Sequence, residues 1–105
     1  MNTLHELVAD KLEQADPAGR AALLRVPLDN IDRWLAHGHS APHRLEQWRA
    51  ILVRAQAGSE GFRELLGLLR DASEPATHLK SFDPFPGVLT TLERRAILLQ
   101  CAYAH

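Results

Sequence analysis

The sequence has little cysteine, which restricts its covalent structure and its metal chemistry. Cys101 is the single cysteine among 105 residues. One thiol excludes an internal disulfide bond and any metal site built from cysteines alone. We therefore expect a protein of a reducing compartment, the cytoplasm, which is stabilised by its hydrophobic core.

Long apolar runs are also missing. No stretch reaches the roughly 18 consecutive apolar residues that a membrane-spanning helix needs. The first residues, MNTLHELVADKLEQ, lack the basic start and apolar centre of a secretory signal. Apolar residues make up 46% of the chain and charged residues 24%, which is normal for a globular protein. We expect a single domain over residues 1–105 with no membrane partner.

Catalytic signatures are absent as well. The sequence contains neither a glycine-rich phosphate loop nor a nucleophile elbow. Ser40 is better explained as a helix cap than as a nucleophile, and Cys101 as a small buried thiol. We therefore expect no enzyme activity and no cofactor.

Apolar residues recur at helical spacing along most of the chain, and no strand-like alternation competes with them. Asp16-Pro17 is typical of a helix start, and Thr90 with Glu93 forms a second start signal, a capping box. Residues 73–89 contain three prolines and a glycine, which predicts an irregular arm with Phe82 and Phe85 against the bundle. The predicted fold is an all-α compact bundle of five to six helices, with this arm and a C-terminal helix.

The middle of the chain carries a possible helix-turn-helix. The spacing predicts a short helix over residues 17–25 and another over about 28–37, because the residue before Pro27 disfavours helical geometry. Residues 21–52 resemble the lambda-repressor or Cro-like helix-turn-helix family, with the resemblance extending over about residues 4–55. It rests on these residues at similar spacing: Ala21, Leu24, Val26, Ile31, Trp34, Gly38 and Pro42. The family's usual turn glycine is Arg25 here, and its usual serine at the helix start is Pro27.

The resemblance implies a small DNA-binding transcriptional regulator of the cytoplasm that acts as a homodimer. Residues 1–57 would form the helix-turn-helix part, and residues 58–105 the C-terminal helices and arm, a possible dimerisation part. The residues implied to read bases on the recognition helix, about 28–37, are Asn30, Arg33 and His37. The residues implied to contact phosphates are Arg20, Arg25, His39, His43 and Arg44.

Charge leaves a second interpretation open. Residues 20–54 hold six arginines against three acidic groups, whereas the whole chain has a net charge of −1. Asp29 and Asp32 lie on the predicted recognition helix, where carboxylates would be repelled by phosphates. The alternative is a protein–protein interaction module that has a helix-turn-helix-like fold without DNA binding.

Three histidines stand close together in WLAHGHSAPH, residues 34–43. His37, His39 and His43 have a spacing that a zinc ion could use, although Glu46 or His78 would have to supply a fourth ligand. Protonation could instead add positive charge at this loop as the pH falls. We favour a polar elbow that follows the recognition helix, with no metal bound.

Overall fold

The protein is a bundle of helices in a computed structural model, which describes residues 4–38 and 41–96. Its helices are α1 (Leu4–Gln14), α2 (Pro17–Ala36), α3 (Pro42–Ala57), α4 (Ser59–Arg70) and α5 (Glu74–Lys80), followed by α6, helical over residues 91–96. The described residues contain no strand. The all-α fold expected from the helical spacing is therefore confirmed.

The helices surround one hydrophobic core. α3 packs along α4, α1 packs on α4, and α2 packs on α3. Trp48 is completely buried at the centre, and the leucine and isoleucine side chains that are almost fully buried come from four helices. They are Leu12, Leu24, Ile31, Leu45, Leu52, Leu65 and Leu69. Burial of this aliphatic set is the main stabilising contribution to the fold.

Two helix starts form as their sequence signals predict. The Asp16 carboxylate accepts the Gly19 backbone N–H at 2.7 Å, and Pro17 occupies the first turn of α2. At the start of α6, Thr90 Oγ1 accepts the Glu93 N–H at 3.1 Å and Glu93 Oε1 accepts the Thr90 N–H at 2.8 Å. These side chains satisfy backbone donors that the first helical turn leaves without partners.

The predicted break at Val26-Pro27 is wrong. α2 runs without interruption from Pro17 to Ala36, so Pro27 lies in the interior of a 20-residue helix. An interior proline costs about 3 kcal/mol because it removes one helical hydrogen bond and crowds the preceding turn. Pro27 is itself almost fully buried, and Leu24 and Ile31 on either side belong to the core. Burial of this face offsets the local cost. The two short helices that the sequence predicts around a turn therefore form one continuous helix.

The predicted arm is partly helical. Residues 74–80 form α5, with Pro75 in its first turn, and the irregular segment begins only after Lys80. Phe85 is buried and Phe82 is half-buried, as expected from the sequence. We use the name arm for residues 81–90 from here on.

The connection between α3 and α4 depends on a glycine in the first turn of α4. A Cβ atom at Gly61 would lie 2.1 Å from the backbone oxygen of Arg54. No side chain fits in this space, so the close approach of the two helices requires glycine at this position.

We predict that Gly61→Ala lowers the free energy of unfolding by about 1–3 kcal/mol, because the added methyl group forces the two helix ends apart. Chemical denaturation measures this change. Gly67→Ala is the matched control, because Gly67 is an exposed residue of the same helix with open space around it. The control should raise stability by about 0.5–1 kcal/mol through helix propensity. Equal stability of the two variants would contradict the tight contact.

Candidate functional site

Asn30, predicted to read DNA bases, faces the chain's own arm. Its side chain is 6% exposed, and its Nδ2 donates to the backbone oxygens of Pro84 at 3.0 Å and Pro86 at 2.9 Å. Its Oδ1 accepts a hydrogen bond from Arg33. Both amide hydrogens and the amide oxygen of Asn30 are therefore engaged within the protein.

The two other predicted base-reading residues are exposed. The Arg33 guanidinium bonds to Asn30 at the edge of the arm. The His37 ring donates from Nδ1 to the Arg33 backbone oxygen at 2.7 Å, at the C-terminal end of α2. Arg33 thus supports the contact between Asn30 and the arm, and His37 bonds to the C-terminal end of α2. That these two side chains contact DNA bases stays a prediction.

The predicted phosphate-binding residues have different surroundings. Arg20 Nε donates to the Leu12 backbone oxygen at 3.2 Å, and its guanidinium lies 3.9 Å from the centre of the Phe62 ring. Arg44 donates to Gln47, on its own helix α3. Arg25 and His43 are exposed, and His39 and Ser40 lie outside the described residues, as does Cys101.

The acidic residues of α2 have different surroundings. Asp29 is exposed, whereas Asp32 forms an ion pair with Arg49 of α3. A pairing of Asp32 with Arg25 or Arg33, which the sequence would allow, is therefore not the one that forms. Arg54 likewise pairs with Glu64 of α4 at 2.8 Å. Two arginines of the basic segment are thus neutralised by carboxylates within the bundle.

The described residues contain no group of three or more histidine, cysteine or acidic side chains that could hold a metal ion. This finding covers His37 and His43 but not His39. The zinc interpretation of the histidine stretch thus gains no support from the part of the chain that the structure describes.

Hydrogen bonds from three helices hold the arm and the end of α5 that precedes it. In addition to the Asn30 contacts, Trp48 Nε1 donates to the Leu79 backbone oxygen at 3.1 Å, just before the arm. Lys11 Nζ donates to the Val88 backbone oxygen at 2.8 Å and to Glu93 Oε1 at 2.7 Å. The arm therefore closes over the bundle as an ordered part of the fold.

Aromatic packing fixes the middle of the arm. The Phe85 ring packs edge-on against Trp48 with the ring centres 5.3 Å apart, and also against the His5 ring. Gly87 then turns the chain with a φ of +95°, which is in the left-handed region that favours glycine. These contacts determine where the residues preceding Phe85 lie.

An open groove lies beside the start of the arm. It has a volume of about 370 Å³, and its described lining residues are Trp34, Leu45, Ser81, Phe82 and Asp83. We call it the aromatic groove. Asp83 Oδ1 accepts the Phe85 backbone N–H at 2.9 Å, so the carboxylate is held in place by the arm itself. The sequence indicates Trp34 only as part of the family pattern and places Phe82 against the bundle, and it does not identify Asp83 or Ser81.

Two groups flank Phe82. The Arg44 guanidinium lies 5.9 Å from the centre of the Phe82 ring, and the His78 ring packs edge-on at 5.5 Å between ring centres. These neighbours limit the rotation of the Phe82 ring and favour one orientation of the groove wall.

Comparison with known proteins gives no relative: no family model, no curated protein and no solved structure matches the chain. Among the described residues, no helix is both long enough and apolar enough to span a bilayer.

We predict that Asn30→Asp lowers the free energy of unfolding by about 2–4 kcal/mol, because a carboxylate cannot donate to the Pro84 and Pro86 carbonyls and would be buried beside them. Chemical denaturation of the purified variant measures the loss. The matched control is Asp29→Asn, a change of the same pair of residue types at the exposed neighbouring position. Wild-type stability of Asn30→Asp would show that the amide does not hold the arm.

A second prediction concerns pH. The Lys11 ammonium group and the Thr90 backbone N–H lower the pKa of the Glu93 carboxyl below its ordinary value. Because the folded state has the lower pKa, this contribution to stability is complete above the unfolded value of about 4.3 and is lost as the pH falls through the folded value. Between about pH 6 and pH 3, wild type should therefore lose more stability than Glu93→Gln. Denaturation at each pH, with exposed Glu46→Gln as control, measures the difference, and parallel pH profiles would contradict it.

Proposed function

We propose that this protein is a protein–protein interaction module of the cytoplasm that binds a segment of its partner in the aromatic groove. The observation that carries the proposal is that polar side chains of α2 make their contacts within the protein. Asn30 is buried under the arm, and Asp32 is paired with Arg49. These contacts commit Asn30, one of the three residues predicted to read bases, to the fold, and Arg33 is bonded to it.

The groove supplies the features that protein recognition needs. The aromatic side chains of Trp34 and Phe82 give it an apolar wall, and Ser81 and Asp83 add polar groups at the rim. Aromatic side chains are the residues that contribute most at protein interfaces. Another surface depression of similar volume is bordered by Asp10 together with Lys11 and Glu93, and these charged groups are already paired with one another or with Arg70.

The DNA-binding homodimer expected from the family resemblance remains the competing proposal. Exposed Arg25 and the exposed ring of His43 are the features that favour it. The continuous α2 removes the turn on which the resemblance depends. DNA binding would require the C-terminal end of this long helix to present Arg33 and His37 to a groove of the DNA.

We predict that selection from a random-peptide display library enriches binders to wild type that no longer bind Ser81→Trp. Ser81 is exposed at the groove rim with φ −67° and ψ −19°, a conformation that tryptophan adopts easily, so the added indole should fill the groove and leave the fold intact. Affinity of the enriched peptides for the two proteins is the measurement. Ser59→Trp is the control, because Ser59 is exposed in the first turn of α4 and is not a described lining residue of the groove.

Two results would contradict the interaction module. One is failure to enrich any peptide that depends on the groove. The other is binding to duplex DNA that weakens steeply as salt rises from about 50 to 200 mM, because released counterions are the signature of phosphate contacts.

A further inference from the structure

We propose that the aromatic groove recognises an arginine side chain of the partner protein, with the guanidinium stacked between Trp34 and Phe82 and hydrogen-bonded to Asp83. This inference rests on the proposed function and specifies the chemistry of the partner. Three observations support it: the charge of the groove, the exposure of the Asp83 carboxylate, and the contact of Arg20 with an aromatic ring elsewhere in the fold.

The lining of the groove combines aromatic side chains with one negative charge. Among the described lining residues, Asp83 alone carries an ionised side chain, and Trp34 and Phe82 supply the aromatic surface. The face of an aromatic ring attracts cations, and a nearby carboxylate strengthens the attraction. A partner side chain that is cationic and planar complements this lining, whereas a partner carboxylate would be repelled by the like charge of Asp83.

The Asp83 carboxylate is accessible to such a partner. Its side chain is 41% exposed, and the Phe85 backbone N–H and the His5 Nε2 atom, 3.4 Å away, both approach Oδ1. A carboxylate offers about four acceptor positions on its two oxygens. Oδ2 can therefore accept a hydrogen bond from a guanidinium while Oδ1 keeps its contact with the arm.

Arginine fits the groove better than lysine does. A guanidinium is planar, so it stacks on a ring while its edge donates hydrogen bonds, whereas an ammonium group is a compact and strongly hydrated point charge. The fold uses this contact internally, since the Arg20 guanidinium lies 3.9 Å from the centre of the Phe62 ring.

Arg44 is the nearby positive charge that an arriving guanidinium would meet. It lies 5.9 Å from the centre of the Phe82 ring, close to the limit of about 6 Å for a cation–π contact, and is bonded to Gln47. Asp83, and not Arg44, is among the described residues that line the groove. An anionic partner that binds through Arg44 is the alternative, and the experiment includes it.

The test is an NMR titration of the ¹⁵N-labelled full chain with N-acetyl-arginine methylamide. The two tryptophans give separate indole signals: Trp34 lines the groove, whereas Trp48 is buried and donates to Leu79. We expect the arginine probe to shift the Trp34 indole signal and not the Trp48 signal. The citrulline analogue, which keeps the shape but lacks the charge, should bind at least about tenfold more weakly, a difference of 1.4 kcal/mol.

Asp83→Asn gives a second readout. Asparagine still accepts the Phe85 N–H through its side-chain oxygen, so the arm is retained while the charge is removed. We expect a loss of arginine affinity of at least about fivefold, since the ion pair is lost but the stacking remains. The control is Asp71→Asn, because Asp71 accepts the Ser73 N–H in the same kind of turn and is not among the described lining residues of the groove. Thermal denaturation confirms that both variants fold.

Several outcomes would overturn the arginine assignment. Equal binding of arginine and citrulline, tighter binding of N-acetyl-glutamate methylamide, or full affinity of Asp83→Asn would each do so. If the display selection yields groove-dependent peptides that lack arginine, the interaction module stands and this inference fails. If the arginine probe binds but no peptide is enriched, the interaction module is the proposal that fails.

Discussion

The buried amide of Asn30 is the contact on which the closed end of the bundle depends. Pro84 and Pro86 have backbone carbonyls but no N–H groups, so this stretch of the arm is rich in acceptors and poor in donors. Asn30 supplies two donors from α2 and bonds to both carbonyls. Phe85, between the two prolines, is thereby positioned against Trp48. The groove residues Phe82 and Asp83 directly precede this anchored stretch, so the shape of the groove depends on the same contact.

Local patterns in the sequence predict much of the fold. The helical spacing predicts the all-α class and the buried residues Leu24, Ile31 and Leu45, and the capping signals predict two helix starts correctly. The same spacing does not predict the continuity of α2. A proline disfavours helix through local sterics, and only the burial of its surroundings in the tertiary structure reverses this preference. Ala21 shows the same limit, since its position in the family pattern indicates burial, yet it is exposed.

The candidate site is harder to predict because its contacts are distant in sequence. Asn30 bonds to carbonyls that follow it by 54 and 56 residues. The groove combines Trp34 of α2 and Leu45 of α3 with the start of the arm. No periodicity within one segment indicates such a combination. The sequence places Asn30 among the polar residues predicted to read DNA bases, and no local pattern indicates its burial under the arm.

Segment charge is a poor guide to surface charge in this protein. The basic middle third has a net charge of +3 when it is counted along the chain. In the fold, Arg54 pairs with Glu64 from outside that segment, and Arg20 lies against Phe62, where it also bonds to a backbone oxygen of α1. Three of the six arginines that a linear count assigns to this basic segment, Arg20, Arg49 and Arg54, thus connect helices. Asp83, from a segment with a net negative charge, lies in the lining of the aromatic groove, and the basic partner that we propose would complement this charge.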